Sequence, residues 1–85
     1  MNWVASTASK RRLGKERFEF AESWACWRDA CDDLRSAYTY WKGCLTAQRA
    51  LAFATYRAAL DREEHAARVH ADAAERLRAM RVCVP

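Results

Sequence analysis

The cysteine and histidine residues are the side chains of this sequence whose chemistry depends most on spacing. Cys26 and Cys31 are five positions apart, and on a helix that spacing turns two side chains about 140° away from each other. They therefore neither form a disulfide with each other nor bind one metal ion from the same face. His65 and His70 have the same spacing, whereas two histidines that bind a metal from one helix lie at i and i+4. We expect free thiols in a reducing compartment, with no metal and no cofactor.

Paired carboxylates are the second candidate for chemistry. Asp32 and Asp33 are adjacent, as are Glu63 and Glu64. General acid–base catalysis requires such groups beside a nucleophile or in a pocket. Here they lie among basic residues on a charged helix surface, and no glycine-rich loop or histidine cluster accompanies them. We therefore predict no catalytic residue, no enzyme activity and no small-molecule substrate.

Few residues interrupt helix formation in this chain. Its 85 residues include two glycines, Gly14 and Gly43, and the one proline is the last residue. Alanine, arginine and glutamate, which favour helix, are abundant between them. We predict an all-α fold, an antiparallel helical hairpin over residues 16–85 that comprises helix 16–42, turn 43–44 and helix 45–81.

The two predicted helices differ in length and in their ends. Gly43 is expected to take the left-handed conformation that commonly ends a helix, and Thr46 to cap the next helix. The second helix is ten residues longer than the first, so at about 1.5 Å per residue it should overhang the hairpin by about 15 Å. In that distal part Asp72 and Arg76 have the spacing of an i, i+4 ion pair. The apolar stretch 50–56, interrupted only by Thr55, is far shorter than the roughly 20 residues that cross a bilayer.

An apolar seam follows one side of the first helix. Its members are separated by alternating intervals of four and three, which place side chains along one helix face. They are Phe20, Trp24, Trp27, Cys31, Leu34, Tyr38 and Trp41. The second helix offers Phe53 and Tyr56 to meet this seam. Because one thin helix does not cover so wide a stripe, we predict that these residues form an interface with another protein or with a second copy of the chain.

The N-terminal segment carries the net charge. The chain has 15 basic and 11 acidic residues, a formal charge of +4. Residues 1–15 contain Lys10, Arg11, Arg12 and Lys15 and no acid, so the rest of the chain is electroneutral. Such a segment is typical of a mitochondrial transit sequence, and equally of a basic arm on an anionic surface. We expect a separate arm whose four cations contact anionic lipid or rRNA, and no continuous nucleic-acid-binding face elsewhere.

A tripeptide at the predicted turn resembles a known motif. Trp41-Lys42-Gly43 lies between the two helices, and the aromatic residue Tyr56 follows fifteen positions after the tryptophan. In this the chain resembles the WXG100 family of small secreted helical hairpins. The resemblance implies a dimer that leaves the cell through a dedicated secretion system.

These observations favour a noncatalytic structural or accessory subunit that docks by its aromatic helix face into a larger multiprotein assembly. The transit-like segment favours a mitochondrial location, in a respiratory-chain or ATP synthase complex. Two alternatives stay open: a WXG100-like secreted dimer, and a structural protein of a ribosome or virion. If Trp24 and Trp27 anchor the subunit, changing both to alanine should release it.

Overall fold

In the computed structural model the chain is a hairpin of two long helices. The structure describes the backbone of residues 2–82 and the side chains of residues 10–80. Helix α1 spans Asn2–Gly43, a 3₁₀ turn spans Thr46–Gln48, and helix α2 spans Arg49–Val82. The helices pack antiparallel into a rod of 70 × 15 × 13 Å. The predicted all-α antiparallel hairpin is confirmed.

The N-terminal segment is part of α1 rather than a separate arm. The helix runs through the predicted boundary between residues 1–15 and 16–85 and includes Gly14. A single glycine costs a helix only about 1 kcal/mol relative to alanine, so Gly14 does not break it. Met1 and residues 83–85, which the predicted segments include, lie outside the described residues.

The predicted overhang was on the wrong helix. Since α1 has 42 residues and α2 has 34, α1 is the longer by about 12 Å at 1.5 Å per residue. The distal part of α2 packs beside residues 16–19 of α1, well inside that helix. There Arg76 pairs with Glu16 at 3.2 Å and with Glu19 at 3.6 Å, and among the described ion pairs it does not contact Asp72.

The turn forms without a left-handed residue. No glycine between residues 2 and 82 has a positive φ, so the predicted left-handed conformation of Gly43 was wrong. Instead the Cys44 N–H donates to the Trp41 carbonyl at 3.3 Å, and the extended residue Leu45 (φ −71°, ψ 158°) begins the 3₁₀ turn. The residue at the N-cap position is Leu45 rather than Thr46, and its side chain makes no capping hydrogen bond. The predicted Thr46 cap was therefore also wrong.

Small side chains form the contact between the two helices. On α2 the most buried residues are alanines spaced by seven or fourteen positions, with Ala52 at 0%, Ala59 at 1% and Ala73 at 1% exposure. On α1 the equivalent column is also small: Ser23, which is buried, then Ala30 and Ala37. Small residues at every second turn let two helix backbones approach closely. This seam of small residues, rather than the aromatic one, faces the partner helix.

No described helix contains an apolar stretch long enough to span a bilayer.

The variant Ala59→Leu tests the close approach. Adding an isobutyl group at a side chain with 1% exposure should push the helices apart and lower the free energy of unfolding by about 1–3 kcal/mol. The matched control is Ala58→Leu, which adds the same group at the exposed neighbouring position and should change stability by less than about 0.5 kcal/mol. Urea unfolding of the full chain, followed by circular dichroism, measures both. Equal midpoints for the two variants would show that the helices do not meet at Ala59.

Candidate protein-docking site

The aromatic seam is turned to one side of the hairpin. Four of its members, Phe20, Trp27, Leu34 and Trp41, are half-buried beside α2. The other three, Trp24, Cys31 and Tyr38, form a second column further from α2. At about 100° per residue the centre of this stripe lies about 50° away from the line that faces α2. The prediction that the seam covers one continuous helix face holds, but α2 covers only its edge.

Residues of α2 lie on the same side of the hairpin as the α1 stripe. By helical register, Phe53, Tyr56, Leu60, Ala67, Ala74 and Leu77 flank the α1 stripe, together with the polar residues Glu63 and His70. We call this set and the α1 stripe the apolar side. All nine residues predicted to form the interface lie on it.

Four aromatic rings pack together on the apolar side near the turn. Trp41 stacks on Tyr56 with centroids 5.3 Å apart and an interplanar angle of 17°, and it contacts Phe53 at 5.0 Å. Tyr38 lies 5.7 Å from Tyr56. Such pairs contribute about 0.5–1.5 kcal/mol beyond the area they bury. This cluster holds the turn end of the hairpin together while one edge of its rings stays in solvent.

A histidine is held between two rings in the middle of the apolar side. His70 lies 4.8 Å from Phe20 and 5.5 Å from Trp27, stacked on the indole at 27°. The Ser23 hydroxyl donates to the Phe20 carbonyl at 3.0 Å, and Ser23 Oγ lies 3.0 Å from His70 Nδ1. Since the hydroxyl proton is used, the serine oxygen accepts from a protonated Nδ1. The contact fixes the imidazole ring across the helix interface.

Glu63 is the second polar group on the apolar side. Its Oε2 atom accepts a hydrogen bond from Trp27 Nε1 at 2.8 Å and a weak one from the Cys31 thiol at 4.0 Å. Next to it is a shallow open groove of about 460 Å³, lined also by Leu34 and Tyr38. Glu63 therefore orients Trp27 and forms the floor of the groove.

Glu63 and His70 lie on this side and Ser23 contacts it, although none of the three is among the residues predicted for the interface. Glu63 is predicted to lie on the charged helix surface, and His70 is predicted not to bind a metal. A signal for both was present, since Tyr56, Glu63, His70 and Leu77 are each seven positions apart. That spacing places all four on one line along α2.

The opposite side of the hairpin is charged. Its shallow groove is lined by Asp29, Asp33, Asp61, Arg62 and the exposed His65, with Cys26 beside them. Within residues 2–82 no three His, Cys, Asp or Glu side chains cluster as metal ligands do. A hydrogen bond to the Cys44 thiol raises the pKa of Tyr40 above its ordinary value of 10.0, with smaller contributions from the charge of that thiol and from burial. Cys26, Cys31 and Cys44 are free thiols, and Cys83 lies outside the described residues.

The four cations predicted at an anionic surface do not share one face. Lys10, Arg11, Arg12 and Lys15 are all exposed on α1. At about 100° per residue, Arg12 lies near the line of Ser23, which faces α2, while Lys10, Arg11 and Lys15 are spread around the rest of the helix. They form a cationic end of the rod rather than a flat basic surface.

No protein-family model, curated protein or solved structure matches this chain. The tripeptide Trp41-Lys42-Gly43 forms the last turn of α1, the place that the resemblance to WXG100 proteins implies for it. Membership of that family stays a prediction.

The variant Ser23→Ala tests the contact that holds His70. It leaves Nδ1 of a half-buried imidazole without its acceptor, and we expect a loss of about 1 kcal/mol in the free energy of unfolding relative to the control. The control is Ser36→Ala at an exposed position of the same helix. Both changes raise helix propensity by the same amount, so the difference between the two variants reports only the lost contact. Thermal and urea unfolding measure the difference. Two variants of equal stability would contradict a structural role for the Ser23–His70 hydrogen bond.

Proposed function

We propose that this chain is a noncatalytic structural subunit that docks by its apolar side into a larger multiprotein assembly. The observation that carries the proposal is the poor burial of its large side chains. Among the described residues no large side chain is fully buried. On the apolar side Trp24 keeps 45%, Tyr38 43% and Phe53 39% of its surface in solvent. Aromatic rings in contiguous exposed patches are typical of protein interfaces.

The total surface area supports the same proposal. The chain exposes 6817 Å², whereas a compact monomer of its mass, 9.8 kDa, exposes about 5,200 Å². A standard interface covers about 800 Å² on each partner. With one such interface covered the chain would still expose about 6,000 Å², so the rod has room for a partner along its length.

The assembly that we propose is a mitochondrial respiratory-chain or ATP synthase complex. The support is the transit-like composition of residues 1–15 and their net positive charge. A cationic helix end also suits a contact with anionic lipid or rRNA, so a ribosome or a virion is the alternative assembly.

A WXG100-like secreted dimer is the second candidate function. It is favoured by the position of Trp41-Lys42-Gly43 at the end of α1 and by the stacking of Trp41 on Tyr56. This candidate predicts the chain in the culture medium, as a dimer without larger partners.

The size of the native particle tests the proposed function. We expect the wild-type chain in an extract of its own cells to elute far above its monomer mass, and the variant Trp24→Ala with Tyr38→Ala to elute as free protein. Trp27 is left unchanged because it packs within the hairpin and binds Glu63, so its loss would also unfold the subunit. The control, Phe18→Ala with Leu51→Ala, removes two exposed apolar side chains that lie off the apolar side and should still elute with the assembly.

Each alternative result has a distinct meaning. Elution of the wild type as a dimer, together with secretion, would favour the WXG100-like candidate. Retention of the Trp24 and Tyr38 double variant in the assembly would refute docking through the apolar side.

A further inference from the structure

We infer that the partner covers the apolar side with an amphipathic helix whose apolar stripe is bordered by acidic residues. This inference rests on the proposed function and adds the chemistry of the partner surface. It follows from the charges at the two edges of the apolar side.

Three cations lie over aromatic rings at these edges. Arg28 is 4.9 Å from the Trp24 ring centroid, Lys42 is 5.7 Å from that of Tyr38, and Arg57 is 6.0 Å from that of Phe53. A cation over a ring face at such a distance is held there by the ring quadrupole. Among the described residues none of the three forms an ion pair with a carboxylate. Their charges are therefore positioned and available to a partner.

Basic side chains prevail along the α1 edge, whereas the α2 edge carries both signs of charge. On the α1 edge the residues seven positions apart are Arg28, Arg35 and Lys42, and Arg35 alone has an acidic neighbour, Asp32 at 3.4 Å. On the α2 edge the corresponding positions include Arg57, Glu64 and Arg78. An apolar centre beside the basic α1 edge, with Arg57 on the other edge, matches a helix whose apolar stripe is bordered by acids, because complementary charges fix the register and suppress wrong partners.

A second copy of the chain fits this surface poorly. A two-fold contact between two apolar sides with the rods antiparallel would place the basic α1 edge of one copy against that of the other. Like charges in such positions oppose association. Self-association of antiparallel rods through this side is therefore disfavoured.

A lipid surface also fits poorly, because Glu63 lies near the centre of the apolar side. Its carboxylate accepts the Trp27 indole N–H, and burying it in hydrocarbon would require desolvation of a charge. A protein partner can offer a donor to the carboxylate instead. The shallow groove beside Glu63, between Cys31, Leu34 and Tyr56, accepts a large apolar side chain of a helix lying along the rod.

Two designed peptides test this inference on the full chain. Each has about 20 residues, enough for a helix of about 30 Å, with a leucine stripe bordered by glutamates in one peptide and by lysines in the other. We expect the glutamate peptide to bind at least about tenfold more tightly at low salt, with the preference falling as salt rises. Fluorescence anisotropy of the labelled peptides measures both affinities.

Charge reversal on the protein provides the matched comparison. The variant Arg28→Glu with Arg57→Glu should lose the preference for the glutamate peptide. The control, Arg62→Glu with Arg11→Glu, makes the same change in net charge at exposed positions off the apolar side and should keep most of the preference.

Several results would overturn the inference. Equal affinity for the two peptides would refute the acidic partner, while the elution of the native particle would still decide the proposed function independently. Binding of neither peptide would refute a helix as the occupant. A dimer in sedimentation equilibrium that Trp24→Ala abolishes would identify a second copy as the occupant. Binding to phosphatidylglycerol vesicles that is lost in the same variant would identify a membrane.

Discussion

The contact between small side chains of α1 and α2 sets the position of every larger side chain in this hairpin. Alanines recur every seven residues on α2, and a serine and two alanines do so on α1, so the backbones approach closely and leave no room for an indole between them. The large rings must therefore lie beside the seam. Because most of those on α1 share one side, and Phe53 and Tyr56 of α2 lie next to them, they form one broad apolar surface instead of a core.

The polar groups on that surface follow the same constraint. Glu63 and His70 occupy positions on α2 that face the large residues of α1, and each is hydrogen-bonded across the interface, Glu63 to Trp27 and His70 to Ser23. Buried or half-buried polar groups are tolerated when they are paired in this way. They also fix the ring of Trp27, which lies against both of them. The apolar side is therefore ordered in the isolated chain, and an ordered surface would lose less conformational entropy on binding the proposed partner.

The sequence was sufficient for the hairpin, because the scarcity of glycine and proline predicts two long helices. It was also sufficient for the side on which the aromatic residues lie, because alternating intervals of four and three place side chains on one face of any helix. It did not reveal how that stripe is rotated relative to α2. Aromatic residues dominate a hydrophobic pattern, whereas the seam depends on Ser23, Ala52 and Ala59, which are common on helix surfaces as well. The predicted start of the first helix was too late because Gly14 suggested a boundary. One glycine lowers the stability of a long helix only slightly.

Oxidative footprinting of the chain within its native assembly tests the central claim, that a partner covers the apolar side. Trp24 and Tyr38 lie on that side, while Phe18 and Tyr40 are exposed elsewhere on the same helix and serve as internal references. The account predicts that hydroxyl radicals modify Trp24 and Tyr38 much more slowly in the assembly than in the isolated chain, with Phe18 and Tyr40 modified at similar rates in both. Equal modification of Trp24 and Tyr38 in the two states would contradict it.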